Sequence, residues 1–297
     1  MEASIFTEVM LPLALASIMF GMGLSLTVED FTRLWRTPKP IILGLFGQLI
    51  LLPILALAIG LLFELSTPLL IGLIILAACP GGTTSNLFSQ LARANLALSV
   101  SLTAISTIIC VFSTPFIIQY AVTALAGEKP PQFSLLNTAI GLFTITLVPV
   151  LIGIALRHYQ TQWALRSEGY FRKFSLFFMI TMIVVIMIEE HQLLWDSLGQ
   201  TFLATFILSI SSMSVGLLIA KLFNLRYSDA MTLAIEVGIQ NGTLAILITL
   251  SFLNEPAYSV IIGMYGLVMY LGPIILIAAS KWWTKQKEST APSPAQQ

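Results

Sequence analysis

The 297 residues are 57% hydrophobic and only 9% charged, with a formal net charge of +0 and a mean hydropathy of +0.92. Ordinary soluble domains carry about a quarter charged residues, so this composition excludes one, and zero net charge gives nothing to draw nucleic acid. A helix needs about 20 apolar residues to cross a hydrocarbon core, so roughly eight to ten crossings fit and little is left over for a soluble domain.

Apolar runs and their breaks predict an all-α polytopic membrane protein with nine transmembrane helices. They fall at about 5–26, 40–63, 67–92, 96–125, 135–156, 174–189, 198–222, 228–253 and 257–280. Between the first two, Val28 to Thr37 reads as an amphipathic connector with Trp35 as an interfacial anchor, closed by Pro38 and Pro40. Residues 127–132, with Pro130 and Pro131, read as a loop, and the Ser-, Pro- and Gln-rich tail 281–297 reads as disordered. Cys79 and Cys110 fall in apolar runs and read as packing residues.

If the nine spans alternate, every Lys and Arg except Lys129 falls on one side. Short cytoplasmic loops accumulate basic residues. The N-terminus is therefore expected outside and the C-terminus cytoplasmic, in an inner or plasma membrane.

Two spans are interrupted in the middle. In the third, Leu69 to Ala78 gives way to Cys79-Pro80-Gly81-Gly82-Thr83-Thr84-Ser85-Asn86 before apolar character resumes at Leu87. In the eighth, Gly238 and Gly242 flank Gln240 and Asn241. Pro and paired Gly break a helix. With an odd number of spans from one break to the other, the two segments run in opposite directions, as in an inverted repeat whose discontinuous helices build a site near the midplane.

Glu236 lies inside the eighth span, and no Lys or Arg occurs between Arg226 and Lys281 to balance it. A carboxylate at the centre of a membrane helix costs roughly 2.5–3.5 kcal/mol even on the lower scales. One alternative is a protonated carboxyl bonded within the bundle, and proton coupling would use the same residue. A cation from outside the protein is favoured by the supply of neutral oxygens at both breaks, since hard cations take oxygen ligands. Ser99, Thr103 and Ser106 add a hydroxyl stripe on one face of the fourth span. Gln48 is the strongly polar residue of the second span. Nothing resembles a nucleophile elbow, phosphate loop or metalloprotease helix, so no enzyme is expected.

The run from Cys79 to Asn86, the following Leu91-Ala92-Arg93 with Asn95 and Ala97-Leu98-Ser99, and Glu236-Val237-Gly238-Ile239-Gln240-Asn241 resemble the two crossover motifs of the bile acid:sodium symporter family. The resemblance covers the chain up to its tail. It implies a core domain of spans two, three, four, seven, eight and nine, a panel domain of spans one, five and six, and two sodium ions as coupling ions. One sodium site would use Ser85, Asn86, Ser99, Thr103 and Glu236. The other would use Gln48, Glu236, Gln240 and the carbonyls near Val237 and Ile239. Thr83, Thr84 and Asn241 are the implied substrate contacts. A tenth, N-terminal helix found in many bacterial relatives is not expected here. Carriers of arsenite share the broader architecture and would show a cysteine after the break-point proline, whereas Cys79 precedes Pro80.

The function implied is sodium-coupled secondary active import of an organic anion by alternating access, the anion being a bile acid-like steroid acid or a small carboxylate. A proton-coupled or uniporting carrier and a non-transporting receptor or structural protein are the alternatives. The expected surroundings are the lipid bilayer, with no nucleic acid and no obligate protein partner evident.

Overall fold

The computed structural model describes residues 9–125 and 134–290. The expected loop at 127–132, the start of the first span and the tail beyond Thr290 lie outside the described residues. Twelve helical segments follow one another: α1 (Leu11–Ser25), α2 (Val28–Arg36), α3 (Pro38–Leu62), α4 (Thr67–Ala78), α5 (Thr83–Leu91), α6 (Leu96–Leu125), α7 (Leu135–Tyr159), α8 (Thr161–Glu189), α9 (His191–Leu222), α10 (Tyr227–Gly238), α11 (Gly242–Phe252) and α12 (Pro256–Ser280). No strand occurs among the described residues beyond one isolated bridge.

Six of these helices, α3, α6, α7, α8, α9 and α12, are long and apolar enough to cross a membrane; α1 and α2, bent by 61° at their junction, make a seventh crossing if taken as one span. The bend follows from Thr27, whose extended backbone and hydroxyl start α2 in a capping box with Asp30. Trp35 is 84% exposed on α2, as an interfacial anchor should be.

Two boundaries differ from the sequence expectation. Helix α8 starts at Thr161 rather than near 174, and α9 at His191 rather than near 198. The stretch Thr161 to Lys173 is polar but holds good helix formers and no proline, so the helix runs on past the end of its apolar part. The last helix likewise continues as helical backbone to Thr290, into the stretch expected to be disordered. After Pro273 no proline occurs before Pro292.

Helices α3, α7 and α11 each carry one π-helical turn, at Gly47–Leu51, Phe143–Leu147 and Ile248–Phe252. In α3 and α7 a proline follows directly, Pro53 and Pro149. A proline ring crowds the carbonyl four residues back and removes a donor, which a widened turn accommodates. Gln48 sits on the first of these turns and is buried.

Helix α1 packs against α7 and α8, whereas α3, α4, α5, α6, α9, α10 and α12 pack among themselves. The α1–α7 contact is backbone-close, because Gly23 and Gly153 face each other and a methyl on Gly153 would lie 2.8 Å from Gly23 Cα. The two groups meet along α8 against α12, α6 against α7 and α1 against α11.

Candidate ion and substrate site

Two helix breaks meet face to face. α4 ends at Ala78 and α5 starts at Thr83; α10 ends at Gly238 and α11 starts at Gly242. Between them Gly81 and Gln240 form an isolated antiparallel bridge, with Asn241 N donating to Pro80 O at 2.9 Å and Gly82 N to Ile239 O at 3.4 Å. Each break thus satisfies part of the other's exposed backbone, which a lone interruption in lipid could not do. Four helix ends converge here, and such ends carry unbonded carbonyls and amides. One orphan is covered by Tyr265, whose hydroxyl donates to Gly238 O at 2.9 Å.

Glu236 lies in the last turn of α10, 1% exposed, facing the start of α5 and the face of α6. Its Oε1 accepts from Ser85 Oγ at 2.6 Å and from Ser99 Oγ, and its Oε2 accepts from Thr103 Oγ1 at 3.0 Å. Each hydroxyl has a second acceptor. Ser85 Oγ is 2.8 Å from Gly82 O, Ser99 Oγ 2.8 Å from Asn86 Oδ1, and Thr103 Oγ1 3.1 Å from Ser99 O. A hydroxyl has one proton to give. Three protons therefore face six oxygen contacts, in a cluster where Ser85, Ser99 and Thr103 are fully buried.

The five residues expected at one ion site are thus together, with Asn86 reaching Glu236 only through Ser99. Ser106, on the same stripe, does not join them and bonds back to Thr103 O at 3.2 Å.

The second expected group gathers around Gly81. Gln48 Nε2 donates to Gln240 Oε1 at 3.4 Å, and Gln240 Nε2 to Val237 O at 3.0 Å. Gln48 Oε1 is buried with no hydrogen-bond partner. A methyl on Gly81 would lie 3.0 Å from Glu236 Oε2, 3.1 Å from Gln48 Nε2 and 3.7 Å from Ile239 O. Only glycine leaves this space between the carboxylate, the Gln48 amide and the Ile239 carbonyl free. An unpaired buried amide oxygen costs roughly 1–3 kcal/mol, and a cation would satisfy it. Among the described residues no three His, Cys, Asp or Glu cluster as a transition-metal site; the oxygens present are of the kind that hard cations take.

Thr83, Thr84 and Asn241 line one small cavity of about 30 Å³ beneath α1 and α8, with Tyr270 beside them. Asn241 also caps α11, its Oδ1 accepting from Leu244 N at 3.0 Å. A larger cavity of about 190 Å³ adjoins it, between α1 and α8 on one side and α5 and α6 on the other. Thr83, Asn86, Gln90, Glu168, Arg172 and Ser175 give it its polar lining. Nearer the α8–α9 turn, Ile183, Ile186, Leu194 and Met264 line a smaller apolar cavity of about 20 Å³ at the α8–α12 seam.

Arg172 and Glu168 were not among the expected contacts. They sit one turn apart on α8, 3.8 Å from each other, and bring the only ion pair among the described residues to this cavity. Nothing in their spacing distinguishes them from an interfacial i,i+4 pair, so only the helix packing brings them forward.

Comparisons with known proteins identify the family. Residues 12–197 match the model of the Sodium Bile acid symporter family. A "Probable sodium/metabolite cotransporter", chloroplastic, of Oryza sativa subsp. japonica is 28% identical over 92% of this chain, which spans 62% of that protein's length. An "Uncharacterized sodium-dependent transporter" of Bacillus subtilis (strain 168) is 29% identical over 94% of this chain and 84% of its own. The "Ileal sodium/bile acid cotransporter" of Homo sapiens is 24% identical over 85% of this chain and 72% of its own. These relatives are named as transporters, not as enzymes. The chain belongs to the sodium bile acid symporter family.

Proposed function

We propose that the protein is a sodium-coupled secondary active symporter that carries an organic anion inward across a cell membrane by alternating access. The observation that carries this is the proton shortage around Glu236: three hydroxyls, six acceptor contacts. Protonating the carboxyl would supply one proton and leave the rest unfilled, whereas a sodium ion turns the surplus oxygens of Ser85, Asn86, Ser99, Thr103 and Glu236 into ligands. A second ion would take Gln48, Gln240, Glu236 and the carbonyls near Val237 and Ile239, and the orphan Gln48 Oε1 supports it. Two ions moving with a monovalent anion carry one net positive charge, which gains about 2.3 kcal/mol per 100 mV of inside-negative potential.

Counting each broken segment as one crossing, and α1 as another, gives nine. The N-terminus then lies outside and the basic loops in the cytoplasm. The third and eighth crossings are related as an inverted repeat, and their breaks are the parts that touch. Helices α1, α7 and α8 make the panel and the remainder the core. The cavity beside Arg172, about 190 Å³ against about 20 Å³ at the α8–α12 seam, then faces the cytoplasm, which supports reading this form as the inward-open arm of the cycle. The substrate anion meets Thr83, Thr84, Asn241 and the first-turn amides of α5 and α11, where helix ends favour negative charge. Arg172 completes the anion's surroundings from the panel side.

Uptake into proteoliposomes tests the proposal. Radiolabelled organic anions, steroid acids and small carboxylates alike, should accumulate with external sodium and stop when potassium replaces it at constant pH. Accumulation that persists in potassium and follows pH instead would establish a proton-coupled or uniporting carrier. Ligand binding without any flux would establish a receptor.

A further inference from the structure

A third cavity, of about 310 Å³, lies away from both breaks, at the end of the bundle that holds the α5–α6 turn. Arg33 of α2, Lys39 at the start of α3 and Arg226 just before α10 all line it, together with Asn95, Asn224 and Asp229. None of the three cations has a carboxylate partner, since the Arg172–Glu168 pair is the only one among the described residues. The one acid in the lining is already engaged: Asp229 is buried and accepts from Asn95 Nδ2 at 2.8 Å. Arg33 Nε is itself buried with no hydrogen-bond partner. A half-sunk guanidinium left unpaired is costly. Three cations against one acid thus leave positive charge uncompensated around one cavity.

We propose that this cavity is a binding site for a phosphate-class anion, supplied by the headgroup of an anionic phospholipid. Guanidinium groups bind phosphate oxygens through paired donors, and Lys39 adds a point charge. The location favours a lipid. The cavity sits at helix ends, and two rings close by in sequence, Trp35 on α2 and Tyr227 next to Arg226, are 84% and 68% exposed, as rings at headgroup level are. Basic pockets between helices at this depth hold such headgroups.

The site also joins three elements of the fold. Arg33 belongs to the connector between α1 and α3. Asn95 N donates to Ser228 O at 3.2 Å, and Thr232 Oγ1 donates to Asn95 O at 3.1 Å, so the α5–α6 turn is fastened to the start of α10 in the cavity wall. A bound phosphate ties this fastening to the connector.

The test is thermal unfolding of the detergent-solubilised full chain with phosphatidylglycerol, with phosphatidylcholine, or with inorganic phosphate. Phosphatidylglycerol should raise Tm by about 2–4 °C more than phosphatidylcholine, and the Arg33→Gln/Arg226→Gln variant should lose that difference. Lys39→Gln, at an exposed position, should reduce it and guards against a double variant that does not fold. Arg166→Gln, outside the cavity, should leave it intact. If inorganic phosphate alone reproduces the variant-sensitive shift, the site stands and its occupant is soluble phosphate. Equal shifts with both lipids and none with phosphate, or a full difference retained in both cavity variants, overturns the proposal.

Discussion

Ser99 Oγ stands between Glu236 Oε1 and Asn86 Oδ1, the latter at 2.8 Å, with one proton for two acceptors. The same shortage recurs at Ser85 and Thr103, so the carboxylate is held by groups that have more oxygen than hydrogen to offer. A buried cluster of this kind fits the sodium site proposed above. The consequences concern Glu236 first.

Glu236→Gln keeps the shape of the side chain and removes its charge. Sodium should then bind at least about 100-fold more weakly, equivalent to about 2.7 kcal/mol. Sodium titration of Tm checks this. A variant that keeps the wild-type sodium response removes Glu236 from the site.

Within the hydroxyl stripe of α6 the effects should separate. Ser99 reaches the carboxylate, whereas Ser106 bonds only its own helix. Ser99→Ala should weaken sodium by about tenfold, or about 1.4 kcal/mol, and Ser106→Ala should change it by less than about twofold. Comparable losses in the two variants would mean that helix packing, not ligation, sets the response.

Gly81→Ala places a methyl 3.0 Å from Glu236 Oε2 and 3.1 Å from Gln48 Nε2. Neither group can retreat without breaking its other contacts, so a cost of about 1–3 kcal/mol is expected, as for overpacking elsewhere. The sodium dependence of uptake should become less steep, because the space lost is the one assigned to the second ion in the proposal. Gly199, in the interior of α9 with nothing within 4 Å of an added methyl, is the control. Gly199→Ala should stabilise by roughly 0.5–1 kcal/mol through backbone entropy alone.

Sodium and a proton compete for the same carboxylate. A protonated Glu236 gives up its charge and fills one of the missing protons, so the sodium concentration for half-maximal uptake should rise as pH falls. The dependence should vanish in Glu236→Gln. A sodium midpoint flat from alkaline to acid pH in the wild type would show that no such competition occurs.

The sequence makes the first ion group legible because each member breaks a local rule. Glu236 is a charge in an apolar run, Cys79 to Asn86 a break in a span, and Ser99 with Thr103 a polar stripe on an apolar helix. The pairing of the breaks follows from their opposite directions, and the Gly81–Gln240 bridge realises it in atoms. What pattern cannot carry is depth along a helix that begins before its apolar part. Arg172 precedes the apolar run that starts at Phe174, so in sequence it belongs to a loop and to the count of basic residues. Helix α8 begins at Thr161 instead, and its packing beside α1 turns Arg172, Glu168 and Ser175 towards the cavity. The basic cavity by Arg33 is hidden for a similar reason, since its cations come from three elements separated in sequence.

Arg172 yields the last test. It is half-exposed, with 47% of its side-chain area accessible, and its pairing with Glu168 at 3.8 Å is too loose and too exposed to contribute more than about 0–1 kcal/mol. A substrate carboxylate entering the cavity could therefore take the guanidinium from Glu168 at little cost and gain paired donors in return. Arg172→Gln should raise KM for a carboxylate by about tenfold with a smaller change in maximal rate, while the sodium-induced rise in Tm without substrate stays as in the wild type. Arg172→Lys should recover only part of the affinity, because an ammonium offers no planar pair of donors. Glu168→Gln should move KM the other way, since it removes the competitor for the guanidinium. If Arg172→Gln and Glu168→Gln both leave KM unchanged while sodium-dependent uptake continues, the pair is an interfacial one and the anion is held by the helix ends alone.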